Sequence, residues 1–511
     1  MTPQPVATSY DEFTYPGFAF PQTHTALAEA IGTVRGLAPA PANACRVLEI
    51  GCGEGGNLIP LAYQYPGSTF IGLDLSATAI VAANAAVNRL ALPNIRFTQG
   101  DLIDFAGDGA PFDYVIAHGV YSWVPEAARN RIMGIMGEWL APDGIGFVSY
   151  NCLPRSHLRS IGRDLMRFHV RAMTDPLKQM QQARGILELV ATAALEANDR
   201  DIYSYVLKDQ LEALATKSDA VLFHDDLATF STPFLFHEVA AAAARHGLQY
   251  LDEARSTTGE EVPEAAREFL ESLPATAVVA REQYRDFILG RSFRDSLFCR
   301  VDRVLNLDGD PATLTRCVVG AEILPPEAPI DPTAPGPVEF KLREGQVLTT
   351  DHALTKAAML CLQQAFPSYI PFDALVAAAL ERLGAAAPDA SASSDDVDAL
   401  AVALLRASRV RAVNLRLRPP TYATSVSSHP VASHYARDQA ERGVLVTTMT
   451  HGAVKFEDPL VRRLLLLLDG TRDVEAITAA MAAGTPDGSQ ITPDVVAAHL
   501  QFLCMAALLV A

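Results

Sequence analysis

Arg46-Val-Leu-Glu-Ile-Gly-Cys-Gly-Glu-Gly-Gly-Asn57 decides the fold of this 511-residue chain. Val47, Leu48 and Ile50 make a short apolar run of the kind found in a parallel strand buried on both faces. Gly51, Gly53, Gly55 and Gly56 follow at once, and Leu58, Ile59 and Leu61 open a helical pattern. Strand, glycine turn and helix in that order form a cradle where backbone without Cβ atoms can approach a ligand closely.

Two ligand classes fit such a turn. Gly51, Gly53 and Gly56 satisfy the dinucleotide spacing, which alone is a weak signal. The carboxylates discriminate: Glu49 precedes the first glycine and Glu54 sits inside the loop. They would repel a pyrophosphate but not a sulfonium that carries an amino-acid ammonium, which points to S-adenosylmethionine. Thr69 to Ser76 reads as a second strand ending in Asp74, placed to accept both ribose hydroxyls. Ile95 to Asp101 reads as a third, with Asp101 placed to meet the adenine amino group. Polar strand ends along one edge of a parallel sheet are where such folds bind ligands. With Glu49-x-Gly51-x-Gly53-x-Gly55, Asp74 and Gly100-Asp101, residues 1–150 resemble the class I S-adenosylmethionine-dependent methyltransferases.

Strand and helix alternate onward. Ala77–Leu92 is helical with Ser76 as N-cap, and Phe112–Val120 is a fourth strand. A helix over Glu126–Leu140, a turn over Ala141–Gly144 and a fifth strand over Ile145–Tyr150 follow. Pro233–His246 resumes the pattern as a helix ended by Gly247, and Leu248–Leu251 and Asp295–Val301 supply the last two strands. The fold class is therefore α/β: a doubly wound, Rossmann-like methyltransferase sheet with a helical insertion, plus C-terminal α+β tandem winged-helix-like units. The expected divisions are a cofactor-binding core at 1–151, a helical regulatory or substrate insertion at 152–232, and the end of the core sheet with a second insertion at 233–320. A linker at 321–339 and two winged-helix-like units at 340–418 and 419–511 complete the chain.

His118-Gly-Val-Tyr-Ser-Trp123 is the chemically rich loop, with imidazole, phenol, hydroxyl and indole in six residues. His118 is expected to accept a proton or bind the cofactor carboxylate. Tyr121 and Trp123 are expected to wall a channel that admits an amine, because aromatic faces attract cations. Packing of both rings under the next helix is the plainer alternative. The aromatic arm Tyr10, Phe13, Tyr15, Phe18 and Phe20 lies over the domain, either as a lid on the cofactor or as cover for a sheet edge. Arg155, Arg159, Arg163, Arg167 and Arg171 form a basic stripe on one helical face, a solvated face or a contact for an acidic substrate. Asp219–Phe230 reads as a polar loop.

Six prolines between Pro325 and Pro337 mark a stiff, extended linker. Beyond it, Phe340-Lys-Leu-Arg-Glu-Gly and the following Leu-rich helix are echoed by Ala453-Val-Lys-Phe-Glu-Asp and its own. This suggests two diverged copies, one with a disordered loop over Gly384–Asp398. A net charge of −18, from 41 basic and 59 acidic residues, argues against nucleic acid as partner. Seven scattered cysteines without a Cys-x-x-Cys pair read as reduced thiols. No metal cluster and no apolar run of membrane-spanning length stand out, and without a secretory signal a cytoplasmic location is expected.

The whole chain is similar to a narrower family, the bacterial class I methyltransferases with a methyltransferase regulatory domain, which include the rickettsial protein-lysine methyltransferases acting on outer-membrane proteins. Tyr15–His24, the glycine turn, His118-Gly-Val-Tyr-Ser-Trp-Val-Pro125, Ser149-Tyr-Asn151, Arg163-Asp-Leu-Met, Phe223-His224 and Leu468-Asp-Gly-Thr-Arg472 carry the likeness. The resemblance implies that Glu49, Gly51, Cys52, Gly53, Gly55 and Asn57 hold S-adenosylmethionine. It implies that Asp74 with Leu75, Asp101 with Leu102, and His118 complete the cofactor site, while His118, Tyr121 and Trp123 line the reacting edge. Methyl transfer to a protein or peptide, with lysine favoured, is the implied activity. Transfer to a small molecule or a ribosomally made peptide stays open, as do a cofactor-binding scaffold or sensor without transfer, and a homo-oligomer. The Asn/Asp-Pro-Pro-Tyr tetrapeptide of many nitrogen methyltransferases is absent.

Overall fold

The computed structural model describes residues 17–255, 262–343, 345–386, 393–483 and 491–510. Tyr10, Phe13 and Tyr15 of the aromatic arm lie outside them.

A seven-stranded sheet forms the centre. Its strands are β1 (Arg46–Ile50), β2 (Thr69–Asp74), β3 (Ile95–Gln99), β4 (Phe112–Ala117), β5 (Leu140–Asn151), β6 (Leu248–Glu253) and β7 (Phe293–Arg300). Their order is β3-β2-β1-β4-β5-β7-β6, with β7 antiparallel to both neighbours. Val47, Leu48 and Ile50 are buried because β1 lies mid-sheet, with one apolar layer on each face. Helices Thr25–Val34, Leu58–Gln64 and Ala77–Leu90 cover one face, and Glu126–Trp139 and Phe236–Ala244 cover the other. The parallel strands end on one edge, which brings Gly51, Asp74, Asp101 and His118 to the same side of the sheet.

The expected turn at Ala141–Gly144 is instead a bulge inside β5. Phe112 pairs with Leu140 and Tyr114 with Ile145, so the extra residues bow out of the ladder without ending it. β7, next to the edge strand β6, carries a buried charged residue. Arg294 is fully buried and meets Glu253 of β6 and Glu282 and Asp286 of helix Val278–Leu289. That helix belongs to the second insertion.

The first insertion packs helices Ser156–Val170, Pro176–Ala197 and Ile202–Ala215 around Met166, Met180, Leu187 and Leu207. Asp219–Phe230 is not simply a polar loop: Leu222–Asp226 winds as a π-helix, with Leu222 anchored in that same core. Three of the five arginines in the stripe turn to this segment. Arg159 pairs with Asp226 at 3.1 Å, while Arg163 and Arg167 donate to the carbonyls of Ala228 and Thr229.

The C-terminal region departs from expectation at its start. β8 (Val318–Gly320) belongs to the first C-terminal unit, between β11 (Ile370–Pro371) and β12 (Asn414–Arg416). The proline-rich segment is a strap and not a free linker. Ile323 is buried, and the fully buried Lys356 reaches up to donate to the carbonyl of Ala334 at 2.7 Å. Helices Phe372–Ala386 and Ser394–Arg409 claim both ends of the presumed disordered loop, and 387–392 lie outside the described residues. Hairpin β9 (Val338–Lys341) and β10 (Val347–Thr350) has a counterpart in β13 (Leu445–Thr447) and β14 (Ala453–Lys455). Each hairpin precedes a helix. Phe340 therefore lies on a first strand and Ala453 on a second, so the two echoed stretches are one strand out of step. Among the described residues no helix is long and apolar enough to cross a membrane.

Candidate functional site

The glycine turn is held by its own chain. The amides of Gly51 and Cys52 donate to the carbonyl of Leu73, and that of Gly53 donates to Asp74 Oδ2 at 2.8 Å. Gly53 has φ +51°, and a Cβ there would meet nothing within 4 Å, so open space faces the turn. Asp74 Oδ1 accepts from the amide of Ser76 at 2.9 Å. Asp101 accepts from the amide of Ile103 and stays exposed, as does Leu75, whereas Leu102 packs on the core. Cys52 is buried, and burial pushes its thiol well above its ordinary value, so it contributes backbone shape and not a thiolate.

Glu49 and Asn57 form the polar centre. Asn57 Nδ2 donates to Glu49 Oε1 at 2.7 Å, while Glu49 Oε2 is buried with no partner. Burial, with Asp74 nearby, pushes Glu49 up to about 8. Asn57 Oδ1 accepts from the amide of Phe20 at 3.1 Å and from His451 Nε2 at 2.8 Å, with the Thr23 hydroxyl at 2.9 Å. The described part of the N-terminal arm therefore lies across the glycine turn. A Cβ on Gly56 would meet the Gly17 carbonyl carbon at 2.5 Å.

The methyl-donor edge is aromatic. His118 stacks on Phe20 with ring centroids 4.0 Å apart, and Phe147 and Phe293 flank it at 5.8 and 6.5 Å. Its Nδ1 is covered and unpartnered. Burial, helped by Arg255, pushes His118 down to about 3. That corrects the expectation that it accepts a proton: a neutral imidazole with so little basicity is a donor or a wall near neutral pH. Tyr121 does not line a mouth either. It is 4% exposed, sits 5.3 Å from the ring of Phe234 and 6.1 Å from that of Tyr150, and belongs to the core. Trp123 is half-buried in the same 3-10 turn. Ser122 ties that turn to β5, its hydroxyl accepting from the amide of Asn151 at 2.9 Å.

One residue that sequence reasoning missed joins this edge. Ser149 Oγ accepts from the amide of Gly119 at 2.8 Å, and Ser149 pairs with Asp295 across β5 and β7. Side chains alternate along a strand, so Asp295 shares the face of Phe293. It is 2% exposed, Oδ1 has no partner, and Oδ2 lies 3.3 Å from Arg255 Nε. Burial and Glu253 push it up, Arg255 and Arg411 pull against them, and it settles at about 7. A charged Arg-Asp pair inside a buried strand was the available signal. A cavity of about 440 Å³ adjoins the edge, lined by Asn151 and Phe293 from the sheet and by Arg155, Arg159, Arg163 and Lys217 from the insertion.

S-adenosylmethionine fits these residues on two counts: a buried, partnerless carboxyl oxygen for an ammonium, and a turn with open space before it for the chain of the ligand. Glu49 and the turn would hold its amino-acid end, and Asp74 its ribose.

Comparisons with known proteins agree. Residues 47–144 match the methyltransferase domain, 218–300 the predicted methyltransferase regulatory domain, and 428–494 the PKMT C-terminal winged helix domain. The regulatory match covers mostly the end of the sheet and the second insertion, and little of the 152–232 segment expected to be regulatory. The chain is 36% identical over 301 residues to uncharacterized protein RP789 of Rickettsia prowazekii, covering 58% of this chain and 53% of that protein. It is 32% identical over 243 residues to uncharacterized protein RP028 of the same organism, covering 48% of this chain and 96% of that one. The chain thus spans about half the length of the first of these relatives. The structure of PKMT2 from Rickettsia typhi in complex with AdoHcy superposes with a TM-score of 0.84 at 25% identity, over 97% of this chain and 100% of that one.

Proposed function

Because this chain belongs to the S-adenosylmethionine-dependent methyltransferases that carry the regulatory domain, we propose that it transfers methyl to a lysine side chain of a protein or peptide. The observation that carries the reading is the aromatic edge around His118 opening beside a cavity walled by the insertion. A long, slender amine can reach such an edge, with its own backbone left outside. The likeness to PKMT2 over the full length, insertion and tandem units included, supports a polymer acceptor over a small one.

The cofactor, when bound, supplies a methyl group activated by its sulfonium. The residues of the chain have the remaining tasks. Glu49, Asn57 and Asp74 fix the donor, which turns the reaction into one between aligned partners. Phe20, Phe147 and Phe293 exclude water and attract a cationic side chain. A lysine ammonium has no lone pair, so it must lose a proton first, and exclusion of water around it disfavours the charged form and lowers its pKa. Asp295, poised near neutrality on this face, takes that proton. Arg155 on the cavity wall favours an acceptor with acidic neighbours.

The test is incubation of the purified chain with methyl-labelled S-adenosylmethionine and a bacterial lysate, followed by separation into protein and small-molecule fractions. Label recovered as ε-N-methyllysine after hydrolysis supports the reading. Label confined to small molecules would replace it with the small-molecule alternative.

A further inference from the structure

The winged-helix hairpin nearest the C-terminus reaches the cofactor pocket. β13 and β14 are joined by a turn in which the amide of His451 donates to the carbonyl of Thr448. His451 is 1% exposed and has φ +68°, a backbone region that non-glycine residues rarely adopt and that survives where surrounding contacts demand it. Its ring crosses that of His24 at 5.5 Å. Its Nε2 lies 2.8 Å from Asn57 Oδ1, across 394 residues of chain.

The protons in this contact can be assigned. The amide of Phe20 can only donate, and it points at the same Asn57 atom, so that atom is the oxygen. Asn57 Nδ2 then faces Glu49 Oε1, as an amide N–H donor should. His451 must therefore carry its hydrogen on Nε2. Burial and Arg416 push its pKa to about 3, so it is neutral and has one hydrogen to give.

We infer that His451 is a positioning residue for the cofactor: through Asn57 it fixes Glu49 so that the free carboxyl oxygen faces the ligand ammonium. His451 acts through its contact with Asn57 Oδ1. It holds the amide that holds the carboxyl. Other contacts dock the same unit on the core, Arg89 to Asp438 at 3.2 Å and the amide of His434 to Tyr63 at 3.0 Å. Among these contacts of the described residues, the His451 one leads on to Glu49. The inference rests on the cofactor reading and not on the acceptor, so failure to methylate lysine would leave it standing.

The experiment is calorimetric titration of the full chain with AdoHcy, which reads binding without turnover. His451→Phe keeps the bulk and removes the donor, and we expect affinity to fall about 10- to 100-fold. His451→Gln can present an N–H near the Nε2 position and should stay within about threefold of wild type. A double-mutant cycle with Glu49→Gln separates positioning from general loosening: His451→Phe should cost little more once Glu49 is gone, whereas loosening would add in full. Wild-type affinity in His451→Phe, equal losses in the Phe and Gln variants, or full additivity with Glu49→Gln would each overturn the inference.

Discussion

Glu49 and Asn57 meet through a single hydrogen bond of 2.7 Å that occupies one carboxyl oxygen and leaves the other buried and unmatched. Burial, with Asp74 adding to it, lifts this carboxyl from 4.5 to about 8. A folded value above the unfolded one means the contribution to stability is full at low pH and is lost as pH climbs through about 8. The thermal midpoint of the ligand-free chain should therefore fall between about pH 5 and pH 8, and fall less in Glu49→Gln. An ammonium set against Oε2 favours the ionised form, so AdoHcy binding near neutral pH should release a proton. Calorimetry in buffers of different ionisation enthalpy reads that release, and an enthalpy independent of buffer would contradict it.

Gly56 and Gly17 touch backbone to backbone. A Cβ on Gly56 would lie 2.5 Å from the Gly17 carbonyl carbon and 2.7 Å from its oxygen, with no flexible side chain to yield. Gly56→Ala should cost about 1–3 kcal/mol in urea unfolding and weaken AdoHcy binding as the arm lifts. An unchanged unfolding midpoint would mean that the arm does not press on the turn.

Asp295 offers a sharper test of the chemistry. Asp295→Asn keeps the shape and removes the titrating group. Turnover should drop about 100-fold or more, AdoHcy affinity should hold, and the limb of the pH–rate profile near pH 7 should vanish. If that limb persists in the variant, the proton goes elsewhere.

Arg294 has no part in the reaction but underpins β6 and β7. Arg294→Met strands Glu253, Glu282 and Asp286 around a neutral side chain. Breaking such a buried group from one side costs about 3–5 kcal/mol, which chemical denaturation near neutral pH would register. Acidification should recover part of the loss, because protonated carboxyls no longer need the guanidinium.

Much of the core could be read from residues alone, because its signals are local. Val47 to Ile50, the glycines and the following helix lie within a few residues of one another, and Asp74 and Asp101 end strands of the same kind. Ser76 caps its helix as its position suggested, its hydroxyl accepting from the amide of Ala79 at 3.2 Å. What escaped were pairings set by distance in the chain. Tyr121 looked like a wall because its neighbours are polar, yet Phe234 and Tyr150, which bury it, arrive from elsewhere. The proline segment read as a stiff, extended linker because nothing nearby announces Lys356 beneath it. β8 precedes that segment and still belongs to the unit beyond it, so the prolines mark an excursion within one domain. His451 gave no local sign at all.

The inward-turned hairpin also bears on how the chain matures. Asn57 leaves the ribosome 394 residues ahead of the histidine that fixes its amide. A nascent chain can complete its sheet while the pocket still lacks this last support. Tight cofactor retention then becomes a property of the finished polypeptide, and a fragment that stops short of the second winged-helix unit would fold its sheet yet hold the nucleoside loosely.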